Sequence, residues 1–215
     1  MPANRYLETI RDLLGRIGAE QMANIEKAGD MIADCWASGG AVFITDMGHG
    51  TAQEMLNRAG GLMALKHLKS DAKEELKAGD VVFVGSVSGR NEAPIELAME
   101  CRRIGAKVIA LTAMEYTAQV SSLHPSGKKL AEVGDLVIDI CAPYGDASLD
   151  VEGLPVKALP ISGVAFIVIL WTICGEAIEK MLARGLRPHV YMSHNREGGP
   201  EFNEKELAEC NRIGY

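Results

Sequence analysis

Residues 79–91 read G-D-V-V-F-V-G-S-V-S-G-R-N. A glycine, then a short β-branched and aromatic run with no polar alternation, then a small-residue turn predicts a strand covered on both faces. Three other segments open in the same way: G-G-A-V-F-I-T from Gly39, G-A-K-V-I-A-L-T from Gly105 and G-D-L-V-I-D-I from Gly134. In each, a glycine able to take the left-handed conformation closes a helix and an apolar run follows at once.

The segments between these runs carry helical periodicity. Thr51 to Leu65 puts Met55, Leu56, Ala59, Leu62 and Met63 on one side, and Asn91 to Ile104 does so with Ile95, Leu97, Ala98 and Cys101. Thr51-Ala-Gln-Glu54 has capping-box spacing, which gives Glu54 a structural duty. Strands alternating with helices predict an α/β fold of three layers, α-β-α, around an open parallel sheet. The ligand crevice of such a sheet lies beyond the carboxyl ends of its strands. That rule gathers residues 46–51, 85–91 and 112–126 into one crevice.

Two elements lie outside this rhythm. A long amphipathic helix over about Tyr6–Ser38 carries Leu7, Ile10, Leu14, Ile17, Ile25, Ala28, Ile32 and Cys35 near heptad spacing. It is longer than a small sheet needs, so residues 1–38 are expected to pack against another subunit. Residues 185–215 form a glycine-rich tail with a last polar helix near Phe202–Arg212. The run Ile161–Gly175 is shorter than the roughly 20 residues of a membrane span and is expected to be a core helix. The 215 residues are expected to make one domain.

Composition narrows the partners. The net charge is -7, from 22 basic and 29 acidic side chains, so no global positive field draws nucleic acid or anionic lipid. Any anionic ligand must be held by local groups. Five scattered cysteines without C-x-x-C spacing point to reduced thiols, and the N-terminus has no signal-peptide apolar region, so a cytoplasmic protein is expected.

The small-residue turn has two readings. Ser86 and Ser88 end a strand, and Gly89-Arg90-Asn91 leads into a helix start, whose free amides, with two hydroxyls and a guanidinium, form a phosphate-sized set of donors. The other reading is that Asn91 caps the helix and Gly89 makes the turn.

S-V-S-G-R-N resembles the S-x-S-G-x-T phosphosugar loop of the sugar isomerase (SIS) domain, and T-D-M-G-H-G-T-A-Q resembles that fold's first strand-to-helix loop. With A-P-Y-G-D-A, V-E-G-L-P-V-K, R-A-G-G-L and S-H-N-R-E-G-G-P-E-F-N, nearly the whole chain is similar to bacterial single-domain SIS proteins and phosphoheptose isomerases. The resemblance implies a flavodoxin-like sheet of five parallel strands, a homodimer or homotetramer, and a phosphorylated sugar bound at subunit edges. It implies ligand contacts from Gly48, Gly50 and Thr51 in the first loop and from Ser86, Ser88, Gly89, Arg90 and Asn91 in the second. Asn91 stands where the family usually has threonine, and Gly50 where a serine is frequent.

Aldose–ketose isomerisation needs a base that carries a proton between adjacent carbons. Glu152, in G-D-A-S-L-D-V-E-G-L-P ahead of the apolar helix, is the first candidate, with Asp146 and Asp150 as neighbours; SIS isomerases resemble this in placing a glutamate there. His49, between two glycines in the crevice, and His124, in S-S-L-H-P-S-G-K, are candidates for proton shuttling. Thr112, Ser121 and Ser122 are candidate hydroxyl contacts. His67 and His189 read as surface or packing residues. No metal spacing stands out, since His189 and His194 are five apart and no H-x-x-x-H or carboxylate–histidine pair appears, so no metal is expected; the isomerase reading calls for no redox cofactor. The expected function is isomerisation of a sugar phosphate. A phosphosugar sensor without turnover, and a lyase or epimerase on an amino-sugar phosphate, remain open.

Overall fold

The computed structural model describes residues 1–48, 50–69 and 75–215. His49 lies outside the described residues. Five parallel strands form one sheet: β1 (Val42–Ile44), β2 (Leu65–His67), β3 (Val81–Gly85), β4 (Lys107–Thr112) and β5 (Leu136–Asp139), in the spatial order β2-β1-β3-β4-β5. The four glycine-led runs are thus β1, β3, β4 and β5.

The unbroken apolar runs reflect burial on both faces. Val81 and Phe83 pack with Ile44, Ile109, Leu111 and Ile138 in one core, beside α2 (Met22–Ala37) and α6 (Ser162–Ala183). Val82 and Val84 point the other way, with Phe43, Val108 and Ala110, onto Ile95, Ala98 and Cys101 of α4 (Glu92–Ile104). The two Gly-Asp pairs align neighbouring strands. The Asp80 carboxylate accepts the Ala41 and Lys77 amides, each at 2.8 Å, and Asp135 accepts the Val108 amide at 2.9 Å.

The apolar run ahead of residue 175 belongs to α6, which continues to Ala183. This helix is long and apolar enough to cross a membrane, yet Phe166, Ile169, Leu170, Ile173 and Ala177 are buried in the first core. None of the five cysteines is in a disulfide, and all are buried. Burial pushes the Cys174 thiol up to about 12, and burial together with nearby Asp80 does the same for Cys35. Neither is a ready nucleophile.

Three sequence expectations are corrected. The long N-terminal helix is two helices, α1 (Pro2–Glu20) and α2, parted at Gln21. Gln21 is buried, and its side-chain oxygen accepts the Asp139 amide of β5 at 3.1 Å. The helix expected over Thr51–Leu65 is only α3 (Thr51–Met55). Beyond it the chain turns extended at Leu56, takes positive φ at Asn57 and Gly60, and pairs with the C-terminal tail before entering β2. The tail contacts are Gly60 N to Tyr191 O at 2.7 Å, Tyr191 N to Gly61 O at 3.0 Å and Met63 N to His189 O at 2.9 Å. These long-range bonds override the apolar period. The capping box is also absent: Gly50 is the N-cap, the Thr51 hydroxyl donates to Gly48 O at 2.7 Å, and Glu54 pairs with Arg58 at 3.1 Å.

Residues 147–160 form a hairpin of β6 (Ala147–Leu149) and β7 (Ala158–Pro160). It meets α1 where Tyr6 donates to Pro160 O at 2.8 Å and Arg5 to Asp150 O at 2.9 Å. A short α5 (Met114–Gln119) follows β4, and α7 (Gly199–Ile213) closes the chain. Asn203 of α7 holds the tail by accepting the Met192 amide at 2.8 Å and donating to its carbonyl at 2.9 Å.

Candidate functional site

The strand order reverses direction between β1 and β3, so the segments leaving these strands separate to opposite sides and open a crevice. An open cleft of about 1110 Å³ lies there. Its lining includes Asp46–Gly48 after β1, Gly85–Ser88 after β3, the α4 stripe Glu92, Ala93, Glu96 and Leu97, and Tyr116.

The turn after β3 is organised by its carbonyls. Ser86 O accepts Gly89 N at 3.1 Å, Val87 O accepts Ala113 N at 2.9 Å, and Ser88 O accepts the Thr117 hydroxyl at 3.1 Å. Gly89 O accepts Leu130 N at 2.8 Å and Arg90 O accepts Leu123 N at 2.9 Å. A planar trans peptide sets each N–H opposite the preceding C=O. Tying five consecutive carbonyls into the protein therefore turns amides the other way. The amides of Val87, Ser88, Arg90 and Asn91 have no acceptor among the described residues.

The first amides of α4 add to this set, since Asn91 occupies the N-cap position without a side-chain capping bond. The hydroxyls of Ser86 and Ser88, both on the cleft wall, have no partner among the described residues. Ser86 is only 7% exposed. Amides and hydroxyls of this kind at a helix start are the donors from which anion nests are built.

The residues expected to bind ligand divide. Gly48, Ser86, Ser88 and Asn91 line the cleft together. Gly50 and Thr51 shape the first loop, and Thr51 is buried. Gly89 has φ +64° and forms the floor of the turn, where an added Cβ would stand 2.8 Å from the hydroxyls of both Thr112 and Thr117. Thr112 is fully buried, with its hydroxyl 3.0 Å from that of Thr117. It lies beneath the turn and not on the cleft wall, because β4 runs under the loop. Arg90 is not on the wall either, and its Nε is buried without a partner among the described residues. Ser121 is exposed away from the cleft, and Ser122 donates to Lys128 O at 2.6 Å.

Glu152 is exposed in the turn of the β6–β7 hairpin, outside the cleft lining, because residues 147–160 pair with one another instead of folding over the sheet. The Asp146 carboxylate accepts the Ile161 amide at 3.1 Å and, from Ser162, the amide at 2.8 Å and the hydroxyl at 2.7 Å, so it caps α6. His124 sits behind the cleft, with Nε2 2.9 Å from Glu96 Oε2 and Nδ1 2.8 Å from the Ser126 hydroxyl.

Asp46 lies in the stretch that the strand-end rule gathered into the crevice, whereas Glu92 and Glu96 were missed as cleft residues; for these two, the signal was the stripe that positions 92, 93, 96 and 97 make on α4. His67 stands beside the cleft, with Nε2 3.2 Å from Asp46 Oδ2 but not aligned for a hydrogen bond. No lysine or arginine is among the described residues that line the cleft. Among the described residues no group of three or more histidine, cysteine, aspartate or glutamate side chains is placed to hold a metal ion.

A doubly wound α/β protein with a cleft at its switch point is the class that the fold defines. The family model for the SIS domain matches residues 5–72 and 68–113, and the chain belongs to that family. A UPF0309 protein of Streptomyces coelicolor is 32% identical over 100% of this chain and 97% of its own length. Two solved structures share the fold. A phosphoheptose isomerase from Francisella tularensis has a TM-score of 0.57 at 15% identity, over 82% of this chain and 96% of that one. The Vibrio vulnificus NanR protein, complexed with ManNAc-6P, has a TM-score of 0.55 at 10% identity, over 99% of this chain and 68% of that one.

Proposed function

We propose that this chain binds a phosphorylated sugar in the switch-point cleft and interconverts its aldose and ketose forms by proton transfer. The observation that carries the reading is the set of donors at this turn: four amides of residues 87–91 and the hydroxyls of Ser86 and Ser88, none with a partner among the described residues. Phosphate accepts hydrogen bonds from donors of these kinds, and the α4 dipole adds attraction. The sugar then extends along the cleft past Glu92 and Glu96. The phosphoheptose isomerase and the ManNAc-6P complex among the fold relatives accord with a phosphorylated sugar as the ligand class. A cytoplasmic homodimer or homotetramer without a redox cofactor completes the proposal.

Binding without turnover is the second reading, favoured by the exposed position of Glu152 outside the cleft. A panel of aldose and ketose phosphates, with unphosphorylated sugars as controls, separates the possibilities. A ligand at 100 times its dissociation constant raises stability by about 2.7 kcal/mol, which thermal unfolding detects. Stabilisation by phosphorylated sugars alone is expected, with aldose–ketose conversion of at least one. Stabilisation without conversion of any favours the sensor, and no stabilisation overturns the site.

A further inference from the structure

We infer that Glu96 is the proton-carrying carboxylate of the cleft and that His124 is its positioning residue. The inference rests on the phosphosugar reading above and assigns the chemistry to a residue that neither the fold relatives nor the serine turn point to.

Among the described residues, the cleft lining holds four carboxylates, from Asp46, Glu92, Glu96 and Asp146. Asp146 is consumed in capping α6. Asp46 faces His67 without an aligned hydrogen bond, and Glu92 has no side-chain partner among the described residues. Glu96 alone of the four has one oxygen fixed by an aligned bond while its side chain stays 60% exposed to the cleft. The imidazole behind it is only 7% exposed.

The tautomer of His124 follows from its neighbours. The Ser126 amide lies 3.1 Å from His124 Nδ1, and a backbone amide can only donate, so Nδ1 accepts and the ring proton sits on Nε2. Nε2–H then donates to Glu96 Oε2. A neutral donor orients the carboxylate without cancelling its charge, which leaves Oε1 free as a base. Spacing supports the assignment. Glu96 lies five residues beyond Asn91, about 7.5 Å along the helix at 1.5 Å per residue, and helical side chains lean back toward the N-terminus. That offset places the carboxylate near the carbonyl end of a sugar whose phosphate sits at the turn.

The step balances without an added reactant. Glu96 Oε1 takes the proton from the hydroxyl-bearing carbon beside the aldehyde. The C–H electron pair becomes the carbon–carbon double bond of an enediolate, and the former carbonyl oxygen takes the negative charge. The neighbouring hydroxyl passes its proton to that oxygen. Glu96 returns its proton to the former carbonyl carbon as the new ketone closes.

The test is exchange of carbon-bound protons in D2O, followed by proton NMR with pentulose, hexulose and heptulose phosphates. Parent protein, Glu96→Gln, Glu152→Gln, His124→Ala and His124→Gln are compared, each checked for a parent-like circular dichroism spectrum and for stabilisation by the same ketose phosphate. Glu96→Gln is expected to slow exchange by about 100-fold to 10,000-fold while stabilisation by the ligand persists. His124→Ala is expected to lower kcat with little change in KM. His124→Gln, whose amide can donate to Glu96, is expected to recover most of that loss, which a purely structural histidine would not do. Parent-rate exchange in Glu96→Gln, or loss confined to Glu152→Gln, overturns the assignment and leaves the binding site standing. Ligand binding by the parent without exchange of any probe also overturns it. Failure of every ketose phosphate to bind removes the phosphosugar reading and the assignment together.

Discussion

A Cβ on Gly89 would stand 2.8 Å from the Thr112 hydroxyl, closer than real Cβ atoms come to a neighbour. Thr117 crowds the same point, and Gly89 holds φ +64°, a conformation that side chains with a Cβ rarely adopt. The threonine hydroxyls reach Val87 O at 3.3 Å and Ser88 O at 3.1 Å, so the bonds that crowd Gly89 also aim the amides. Gly89→Ala is therefore expected to cost about 1–3 kcal/mol of stability and to abolish sugar-phosphate binding. Urea unfolding and a ligand-induced thermal shift measure the two effects; a variant that binds like the parent would show that the turn tolerates a Cβ.

Ser88→Ala removes a hydroxyl that has no partner among the described residues and should leave stability within about 0.5 kcal/mol of the parent. Its hydrogen bond to phosphate should be worth roughly 1–3 kcal/mol of affinity, since the acceptor is charged. Calorimetry with a stabilising sugar phosphate checks this. Equal affinity would place the phosphate elsewhere.

The reach of sequence reasoning follows from how local each signal is. Val81–Val84 announced a strand because both faces of that segment are buried. Leu65-Lys66-His67 did not, since β2 is a short edge strand with one buried residue. The periodicity of residues 51–65 mimicked a helix, while the tail residues 189–191 that break it lie far along the chain. The same distance governs the site. Ser86 and Ser88 were legible from one turn, but Glu96 meets His124 across 28 positions through a loop whose path no local pattern records.

Asp146 caps a helix that begins 16 residues later, and it does so with φ +66°. Removing an N-terminal capping carboxylate costs about 1–2 kcal/mol, and a protein of this size loses about 2–4 °C in Tm per kcal/mol. Asp146→Ala should show the full loss. Asp146→Asn, which tolerates positive φ and keeps one acceptor oxygen, should show less. Equal Tm values for both variants and the parent would mean that Ser162 is satisfied by other groups.

The hairpin and α1, joined by the Tyr6 and Arg5 hydrogen bonds, each expose apolar side chains, with Leu7 55% and Val156 72% exposed and Leu154 and Leu159 exposed as well. Apolar groups on adjoining elements are what a subunit contact needs at its centre. Sedimentation at micromolar concentration is expected to give a dimer or tetramer, and Leu7→Asp with Val156→Asp is expected to shift it toward monomer. A parent protein that sediments as a monomer sinks the proposed assembly.

Glu206 ties α7 to the tail through Arg187, at 2.9 and 3.3 Å, and through His189 Nδ1 at 2.6 Å. The Arg187 hydrogen bonds, with a smaller contribution from His189, hold its carboxyl below the ordinary carboxylate range against the opposing effect of desolvation. A carboxylate depressed in the folded state stabilises the protein above its unfolded value, near 4.3, and that contribution fades as pH falls through the lower folded value. Glu206→Gln removes the titration while keeping a side chain of similar shape. The parent should therefore exceed the variant in unfolding free energy at pH 7, and the gap should narrow as pH falls below about 4. Urea titrations at steps between pH 7 and 3 measure it. A gap that stays constant over that interval would mean that the pair contributes packing alone and that the ionised carboxylate is not what secures the tail beside β2.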